Sequence, residues 1–457
     1  MRRKIYERLK EWKADENGQC AILIEGARRI GKSYIAEEFG KEEYNEYLLI
    51  DFSKDTGEIA GWFDEYMDDL DTLFSNLRFR FNKKLKPRAA ENSPANTLII
   101  LDEVQFCPRA RAAIKHLVAD HRFDYIETGS LISIKKNVKG IMIPSEEYAI
   151  QMYPMDFEEF LWAKGEDQAM PYIHQHFESL KEVGQGNHRK LIRLFREYAL
   201  VGGMPQVVKK YIETGEFKGV EREKRKILQL YRNDIKKYAD GQEVNVSAIF
   251  EEIPGQLQQK MKKFRISSLK ANARMRDYDH AFFWLTDAFI INCCYNSAEP
   301  NVGLHLNRQR SLLKCYMGDT GLLISMAFDE NESGMEKIYH KLMLDKLEVN
   351  EGMIVENIVS QMLVAAGHKL YFYYTSDREE AANRMEIDFL LRKRSVTSRH
   401  NIIPIEVKSG TRYTISSLKK YMAKYDKYVD RAYVIHDKDL KVENGIVYLP
   451  YYMVPLL

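Results

Sequence analysis

The sequence lacks the cysteine pattern of a disulfide framework or of a structural zinc site. Disulfide-rich secreted domains and zinc sites use paired cysteines at regular spacings. Here the cysteines are odd in number and none forms a CxxC pair: Cys20, Cys107, Cys293, Cys294 and Cys315. The cysteine content fits a reducing compartment, and we expect a cytoplasmic protein.

Long apolar runs are also missing. The most hydrophobic stretch, AFFWLTDAFIINCCY at 281–295, is short and contains Asp287, whereas a membrane-spanning helix needs about 20 apolar residues. The basic N-terminus is not followed by the apolar segment of a signal peptide. We therefore expect no membrane association and assign this stretch to a protein core.

A strong net charge is the third absence. The formal charge is only +2 over 457 residues, so whole-molecule electrostatics do not indicate a nucleic-acid partner, and any basic surface must be local. What the chain does have is ample apolar content, with 45% hydrophobic and 12% aromatic residues. That content and the length predict several globular domains.

The first 160 residues alternate short apolar runs with helical patterns. Such runs, separated by helices, predict a parallel sheet buried on both faces. The runs are AILIEG (21–26), EYLLIDF (46–52), TLIILDE (97–103), DYIETGS (124–130) and EYAIQMYP (147–154).

A phosphate-binding pattern follows the first of these runs. The segment from Gly26 to Ser33 fits GxxxxGK[ST], between an apolar strand and a helical pattern. We expect backbone N–H groups to face the phosphates, Lys32 to lie between the β and γ phosphates, and the Ser33 hydroxyl to bind Mg²⁺. The predicted cofactors are ATP and Mg²⁺, and the predicted binding residues are Gly26, Ala27, Arg28, Arg29, Ile30, Gly31, Lys32, Ser33 and Tyr34.

Two later strand ends complete this predicted site. The run TLIILDEVQ ends in Asp102, predicted on the metal side, and Glu103, predicted to activate the attacking water. The run DYIETGS ends with Thr128 and Ser130. A hydroxyl group at this strand end could sense the γ-phosphate, or it could only cap the strand. Both readings stay open from the sequence.

The motifs together resemble a known family. GARRIGKS, ILDEVQ, ETGSL and YPMDFEEFL are similar to the ARRxGKT, LDEIQ, TGSS and sFeEFL motifs of bacterial and archaeal AAA-type ATPases, and later motifs such as GGMPQVV (202–208) and YMGDTGLL (316–323) extend the similarity. The resemblance implies a helical lid, a winged helix and a C-terminal nuclease-like domain. The resemblance also implies that arginines at the positions of Arg28 and Arg29 are usual in this loop.

The middle of the chain agrees with that order of domains. Residues 155–240 show helical patterns only, and 245–325 shows short helices, with a break near Pro254, followed by a β-hairpin, the outline of a winged helix. The segment 256–281 is basic and is either a DNA-binding face or a solvated surface. Its basic residues are Lys260, Lys262, Lys263, Arg265, Lys270, Arg274 and Arg276.

The C-terminal third carries a D…ExK pattern. Asp388 lies in EIDFLL, and Glu406 and Lys408 lie two apart in IPIEVKSG, so they share one strand face. A polar turn between the strands would form a hairpin that brings Asp388 near Glu406. This arrangement resembles PD-(D/E)xK nucleases, in which Glu356 would match an additional acid; Asp388, Glu406 and Lys408 are then the catalytic candidates, and Glu356, Asp388 and Glu406 the metal ligands.

The predicted fold class is α/β: a P-loop NTPase parallel sheet with a helical lid, a winged-helix domain and a C-terminal restriction-endonuclease-like domain. The predicted boundaries are 1–160, 161–240, 241–326 and 338–457. Two hypotheses on function remain. The protein is an ATP-hydrolysing, DNA-associated protein with a magnesium nuclease, or it is an ATP-dependent switch or scaffold whose nuclease-like domain binds without cleaving. The predicted partners are DNA and further copies of this chain.

Overall fold

The computed structural model describes residues 1–90, 93–130, 143–259, 263–301, 303–329, 334–343, 351–375, 384–393, 400–410 and 412–457. These residues divide into two compact units. The first contains Met1–Tyr153 together with Asp287–Phe289, and the second contains Pro154–Thr286 and Ile290–Leu457.

A five-stranded parallel sheet forms the centre of the first unit, as predicted. Its strand order is β2-β3-β4-β1-β5, and all neighbouring strands run parallel. Every residue of β3 and β4 is buried, which explains their uninterrupted apolar character, whereas the edge strand β5 is largely exposed. The strands are β1 (Ala21–Glu25), β2 (Glu46–Asp51), β3 (Thr97–Asp102), β4 (Asp124–Gly129) and β5 (Glu147–Gln151).

Helices connect these strands and cover the sheet. One core cluster joins side chains of β2, β3 and β4 to those of α3, α4 and α5, with a T-shaped contact between Phe74 and Phe123. The helices of this unit are α1 (Ile5–Glu16), α2 (Lys32–Glu43), α3 (Glu58–Glu65), α4 (Leu70–Phe81) and α5 (Pro108–Asp120). The sheet and its connections place the ends of β1, β3 and β4 at one edge, where parallel strands commonly carry a site.

The region from Pro154 begins with a series of helices, as the sequence predicts for 155–240. A capping box at Asp156 and Glu159 starts the first of them. The helices are α6 (Phe157–Ala163), α7 (Ala169–Ser179), α8 (Gln185–Val201), α9 (Pro205–Thr214), α10 (Phe217–Tyr238), α11 (Glu243–Gln258), α12 (Asp279–Asp287), α13 (Thr320–Ala327), α14 (Met335–Met343), α15 (Glu351–Ala365) and α16 (Ser416–Lys424).

Helix α11 differs from the sequence prediction, because it continues through Pro254 where the sequence suggested a break. An interior proline costs roughly 3 kcal/mol. The buried residues Ile249, Ile253 and Leu257 continue the apolar stripe across it, so tertiary packing offsets that cost.

An eight-stranded mixed sheet forms the second β-structure. Its order is β12-β13-β11-β10-β9-β8-β6-β7. The strands are β6 (Ile291–Ser297), β7 (Arg308–Met317), β8 (Tyr371–Thr375), β9 (Met385–Arg392), β10 (Ile402–Val407), β11 (Ala432–His436), β12 (Lys441–Glu443) and β13 (Ile446–Pro450). Two of these strands, β12 and β13, were not predicted.

The hairpin β6–β7 belongs to this same sheet. Strand β6 pairs in parallel with β8, and so joins the segment predicted as a winged helix to the strands of the C-terminal segment. From α15, Asn357 accepts a hydrogen bond from the Met317 N–H at 2.8 Å and donates one to the Met317 carbonyl at 3.2 Å. The four-domain division remains a prediction, and the sheet runs across the boundary drawn at 326–338.

None of the helices in the ranges given above has the length and apolar character required to span a membrane.

Candidate functional site

The phosphate-loop segment lies between β1 and α2. Three of its residues have positive φ: Gly26 at +152°, Arg29 at +69° and Gly31 at +93°. A Cβ on Gly26 would lie 2.2 Å from the Met152 carbonyl oxygen, so only glycine fits there. The glycines of the motif therefore serve a backbone path that other residues would strain.

The ammonium group of Lys32 is directed into the loop. Its Nζ donates to the carbonyl oxygens of Gly26 and Ala27, both at 2.9 Å, and the side chain is buried. Burial lowers the pKa of Lys32 to about 8, against the opposing effect of the nearby Glu103 and Asp102 carboxylates. A buried cation in a loop of backbone N–H groups is the environment expected to receive phosphates.

The two predicted magnesium-side residues meet at the loop. The Ser33 hydroxyl donates to Asp102 Oδ1 at 2.7 Å, and the Thr128 hydroxyl donates to the same oxygen. Burial raises the pKa of Asp102, and the hydrogen bonds from Thr128 and Ser33 oppose that rise. Mg²⁺ prefers hard oxygen ligands at about 2.0–2.1 Å in octahedral geometry, in which adjacent ligands are about 2.9 Å apart. The Ser33 and Asp102 oxygens fit such an ion.

Glu103 follows Asp102 in an unusual backbone conformation. Its φ is +56°, the left-handed region that costs a non-glycine residue roughly 1–2 kcal/mol. Gln105 donates a hydrogen bond from Nε2 to Glu103 Oε2. Strain of this kind is often retained where it directs a functional side chain, and here the carboxylate is close enough to Lys32 to influence its pKa.

The remaining predicted residues occupy different positions around the loop. Arg28 is half-buried and Arg29 is exposed, Tyr34 is exposed, and Ala27 and Ile30 are buried. The Ser130 hydroxyl is buried and has no hydrogen-bond partner among the described residues. The structure therefore separates the two hydroxyls at the end of β4: Thr128 holds Asp102, and Ser130 remains available.

The sequence did not predict one of the contacts made by the phosphate loop. Arg3, which is buried, donates to the Ile30 carbonyl at 2.8 Å and to the Tyr153 carbonyl at 2.7 Å. An arginine near the N-terminus gives no local signal of this role, because its partners are 27 and 150 residues away.

The second candidate site lies on the eight-stranded sheet. Strands β9 and β10 are antiparallel with Phe389 opposite Ile405, which places Asp388 beside Glu406, as the predicted hairpin requires. The Val407 N–H donates to Asp388 Oδ2 at 2.9 Å, and Lys408 Nζ donates to Glu406 Oε1 at 2.8 Å. The turn between these strands, at 394–399, lies outside the described residues.

The structure does not gather the three predicted metal ligands into one metal site. Among the described residues, no group of three or more His, Cys, Asp or Glu side chains is positioned to hold a metal ion. Glu356 instead accepts hydrogen bonds from Lys314, at 3.1 Å, and from the Tyr316 hydroxyl. The metal site predicted from the D…ExK pattern stays a prediction, and in this structure Lys314 and Tyr316 contact the Glu356 carboxylate.

Lys314 is the residue that accounts for the difference. Its Nζ lies 3.1 Å from Glu356 Oε1, 3.1 Å from Glu386 Oε1 and 3.3 Å from Asp388 Oδ1. Although burial alone would lower it, the pKa of Lys314 is well above its usual value because of the Glu356, Asp388 and Glu386 carboxylates. The only sequence signal was a charged residue inside the apolar run SLLKCYM, and Glu386, two residues before Asp388, was also missed.

Comparisons with known proteins agree with the first site. Residues 19–161 match a family described as an AAA domain. Residues 192–333 and 351–454 match two families that are each described as a domain of unknown function (DUF8612 and DUF4143). No curated protein matches this chain.

Several solved structures show low similarity. The Walker-type ATPase PABY2304 of Pyrococcus abyssi is 13% identical, with 71% of this chain and 95% of that chain covered and a TM-score of 0.38. The STAND protein PH0952 of Pyrococcus horikoshii is 11% identical, with coverages of 78% and 48% and a TM-score of 0.28. Drosophila ORC bound to DNA is 12% identical, with coverages of 72% and 93% and a TM-score of 0.27.

The phosphate loop, the parallel sheet and the family match together indicate the class of domain that these residues form. Residues 19–161 form an AAA-type P-loop ATPase domain.

Proposed function

We propose that this protein binds ATP with Mg²⁺ at its phosphate loop and hydrolyses it. The observation that carries the proposal is the hydrogen bond of 2.7 Å between the Ser33 hydroxyl and Asp102 Oδ1. It joins residues 69 positions apart that are the expected pair on the magnesium side of a P-loop site.

Each residue of the site has a role in this proposal. The Ser33 and Asp102 oxygens would hold Mg²⁺, which when bound neutralises charge on the β- and γ-phosphate oxygens. Lys32 supplies a positive charge to the same phosphates. Glu103 orients and deprotonates the attacking water, and Gln105 holds the Glu103 side chain in place.

Two substitutions test the ATPase proposal. Lys32→Ala should weaken ATP binding, because it removes the cation that contacts the phosphates. Glu103→Gln should preserve ATP binding and abolish turnover, because the amide cannot accept the proton. Isothermal titration with ATP and Mg²⁺, together with steady-state phosphate release, separates the two effects. Normal hydrolysis by Glu103→Gln would show that another residue is the base.

We also propose that the protein associates with DNA. Among the described residues of the basic segment 256–281, four lysine or arginine side chains are exposed: Arg265, Lys270, Arg274 and Arg276. They lie between α11 and α12, partly on the short 3-10 turns Ile266–Ser268 and Met275–Asp277. Exposed cations of this kind bind phosphate backbones with salt-dependent affinity. Two further basic residues of that segment, Lys260 and Lys262, lie outside the described residues.

Charge reversal tests the DNA association. Arg274→Glu with Arg276→Glu should weaken DNA binding and reduce the slope of log affinity against log salt. The matched control is Arg189→Glu with Lys209→Glu, which reverses two exposed basic residues of α8 and α9. Equal DNA affinity for both double variants would contradict the assignment. An ATPase rate unchanged by several forms of DNA would favour the switch or scaffold hypothesis.

The C-terminal sheet supports a nuclease-like module that binds without cleaving. Asp388, Glu406 and Lys408 lie together on β9, β10 and the residue that follows, which favours the nuclease-like arrangement. The contact of Lys314 with Asp388 favours the non-cleaving version, because it engages the carboxylate that a metal would need. Assembly of several copies of the chain remains a prediction.

A further inference from the structure

The carboxylate cluster, defined as Glu356, Glu386 and Asp388, surrounds the ammonium group of one lysine. Lys314 Nζ lies within 3.1–3.3 Å of an oxygen of each acid, and the Lys314 side chain is 0% exposed. Three different elements meet at this cluster: Glu356 lies on α15, Glu386 and Asp388 lie on β9, and Lys314 lies on β7. The lysine is therefore held by the tertiary fold.

In each acid of the cluster, at least one oxygen that could bind a metal is already engaged by Lys314. Glu356 Oε1 accepts from both Lys314 and the Tyr316 hydroxyl. Asp388 Oδ1 accepts from Lys314, and Asp388 Oδ2 accepts from the Val407 N–H at 2.9 Å. A divalent cation would have to replace these hydrogen bonds with contacts of about 2.0–2.6 Å. It would also stand beside a buried ammonium group of like charge.

Glu406 does not restore a ligand set. Its Oε1 accepts from Lys408 at 2.8 Å, and its buried Oε2 has no hydrogen-bond partner among the described residues. One oxygen of Glu406 does not by itself make a cage for Mg²⁺ or Mn²⁺, which take six or more ligands. A buried carboxylate requires a partner of opposite charge. Lys314 already supplies that positive charge to the cluster.

We propose that Lys314 is the resident cation of the carboxylate cluster, in place of a divalent metal ion, so that the C-terminal sheet holds no metal there and does not cleave phosphodiester bonds. The position of Lys314 in the sheet agrees with a permanent role. It lies opposite Cys294 in the β6–β7 ladder, and its Nζ is 5.2 Å from the centre of the Phe372 ring. The inference is independent of ATP hydrolysis, because it concerns residues of the second unit alone.

The test is a titration of the nucleotide-free 457-residue chain with Mn²⁺. The electron paramagnetic resonance signal of free Mn²⁺ measures how much ion is bound. Wild type and Asp388→Asn should bind the same amount of Mn²⁺. Lys314→Met should gain one Mn²⁺ site, and its affinity for Mn²⁺ at this cluster should be at least ten-fold higher than that of wild type. The double variant Lys314→Met with Asp388→Asn should lack this site. Any Mn²⁺ held at Ser33 and Asp102 is common to all four proteins and cancels.

A matched control is Lys393→Met. Lys393 also pairs with an acid, Asp430, at 2.8 Å, but it is 28% exposed and stands outside the cluster. This variant should gain no Mn²⁺ site. If it gains the same site as Lys314→Met, the effect is a general consequence of removing a lysine, and the proposal fails.

Two results on the wild-type chain would overturn the proposal even if Lys314→Met does not fold. One is an Mn²⁺ site that is present in wild type and lost in Asp388→Asn. The other is Mn²⁺- or Mg²⁺-dependent cutting of plasmid or linear DNA that Asp388→Asn abolishes. A folded Lys314→Met variant without an Asp388-dependent site would overturn it as well. Loss of ATP hydrolysis in Lys32→Ala tests the ATPase proposal separately.

Discussion

At the scale of single residues, one oxygen of Asp102 organises the nucleotide site. Oδ1 accepts hydrogen bonds from Ser33 on α2 and from Thr128 on β4, so three elements meet at a buried carboxylate. A buried carboxylate needs such donors to stay ionised, and its ionised form is the one that serves a magnesium ion. The positions of Ser33 and Asp102 thus depend on Thr128.

Replacement of Thr128 by valine tests this dependence. Valine keeps the shape and removes the hydroxyl, and a hydrogen bond to a charged group contributes about 1.5–3 kcal/mol. We expect Thr128→Val to lower kcat/KM for MgATP by about ten-fold or more, as measured by steady-state phosphate release. Thr128→Ser keeps the hydroxyl and should stay close to wild type. Equal losses in both variants would indicate a packing role instead.

The burial of Glu406 predicts that the stability of the protein depends on pH. Burial raises its pKa from 4.5 to about 7, with Lys408 opposing the rise. Between these values the unfolded chain releases a proton that the folded chain retains, so the free energy of unfolding falls as pH rises from about 4.5 to 7 and is level above that. Below about pH 4.5 the carboxyl group is protonated in both states, so it adds no pH dependence to the free energy of unfolding.

The substitution Glu406→Gln should remove this dependence. The stability of the variant relative to wild type should increase between pH 5 and pH 8 by on the order of 2–3 kcal/mol. Urea unfolding at both pH values, followed by circular dichroism, measures the difference. A gap that stays constant over this range would show that Glu406 titrates near its usual value.

At the scale of elements, α13 packs against the end of α8 at unusually short range. A Cβ on Gly321 would lie 2.4 Å from the Val201 carbonyl oxygen and 2.8 Å from the Gly202 Cα. Asp319 reinforces this contact by accepting hydrogen bonds from the Gly203 N–H at 2.6 Å and the Leu322 N–H at 2.9 Å. The obstructing atoms belong to the backbone, so a side chain here cannot be accommodated by a rotamer change.

Gly321→Ala should therefore destabilise the protein by about 2–3 kcal/mol, since overpacking forces the backbone to shift. Thermal unfolding by calorimetry gives the change. The control is Gly186→Ala in α8, where a Cβ would meet nothing within 4 Å. That variant should be neutral or slightly stabilised, because alanine favours a helix more than glycine. Similar losses in both would contradict the packing argument.

The elements also differ in how well the sequence predicts them. The five strands of the first unit follow directly from their apolar runs. Strands β12 and β13 were missed, although Asn444 and Gly445 between them have φ of +51° and +76°. An Asn-Gly pair between two strands is the usual signal for a tight hairpin turn. The short, exposed β12 gave no apolar alternation to support it.

At the scale of the whole molecule, the second sheet spans segments that are distant in the chain. The edge hairpin β6–β7 lies at 291–317, and the remaining strands lie at 371–450. Its pairing with β8 covers a strand edge, and Lys314 supplies the cation for Glu356 and Asp388. A fragment without this hairpin would expose the edge of β8 and leave the buried Glu356 and the half-buried Asp388 without Lys314.

A truncation experiment follows from this. Residues 338–457 expressed alone should lack a cooperative thermal transition and should bind hydrophobic dyes, whereas residues 154–457 should unfold cooperatively. Circular dichroism melts and dye fluorescence distinguish the two fragments. Cooperative unfolding of 338–457 would show that the C-terminal segment is an independent domain.

The sequence by itself determined the phosphate loop and the parallel sheet, because both are written in contiguous residues. Gly26 to Ser33 form one local pattern, and each buried strand is one apolar run. The pairing of Asp388 with Glu406 was also predictable, since it needs only one hairpin. Only the tertiary structure decided which cation faces Asp388. Lys314 is 74 residues away, and its position depends on strand order in the sheet, for which no local pattern gives a signal.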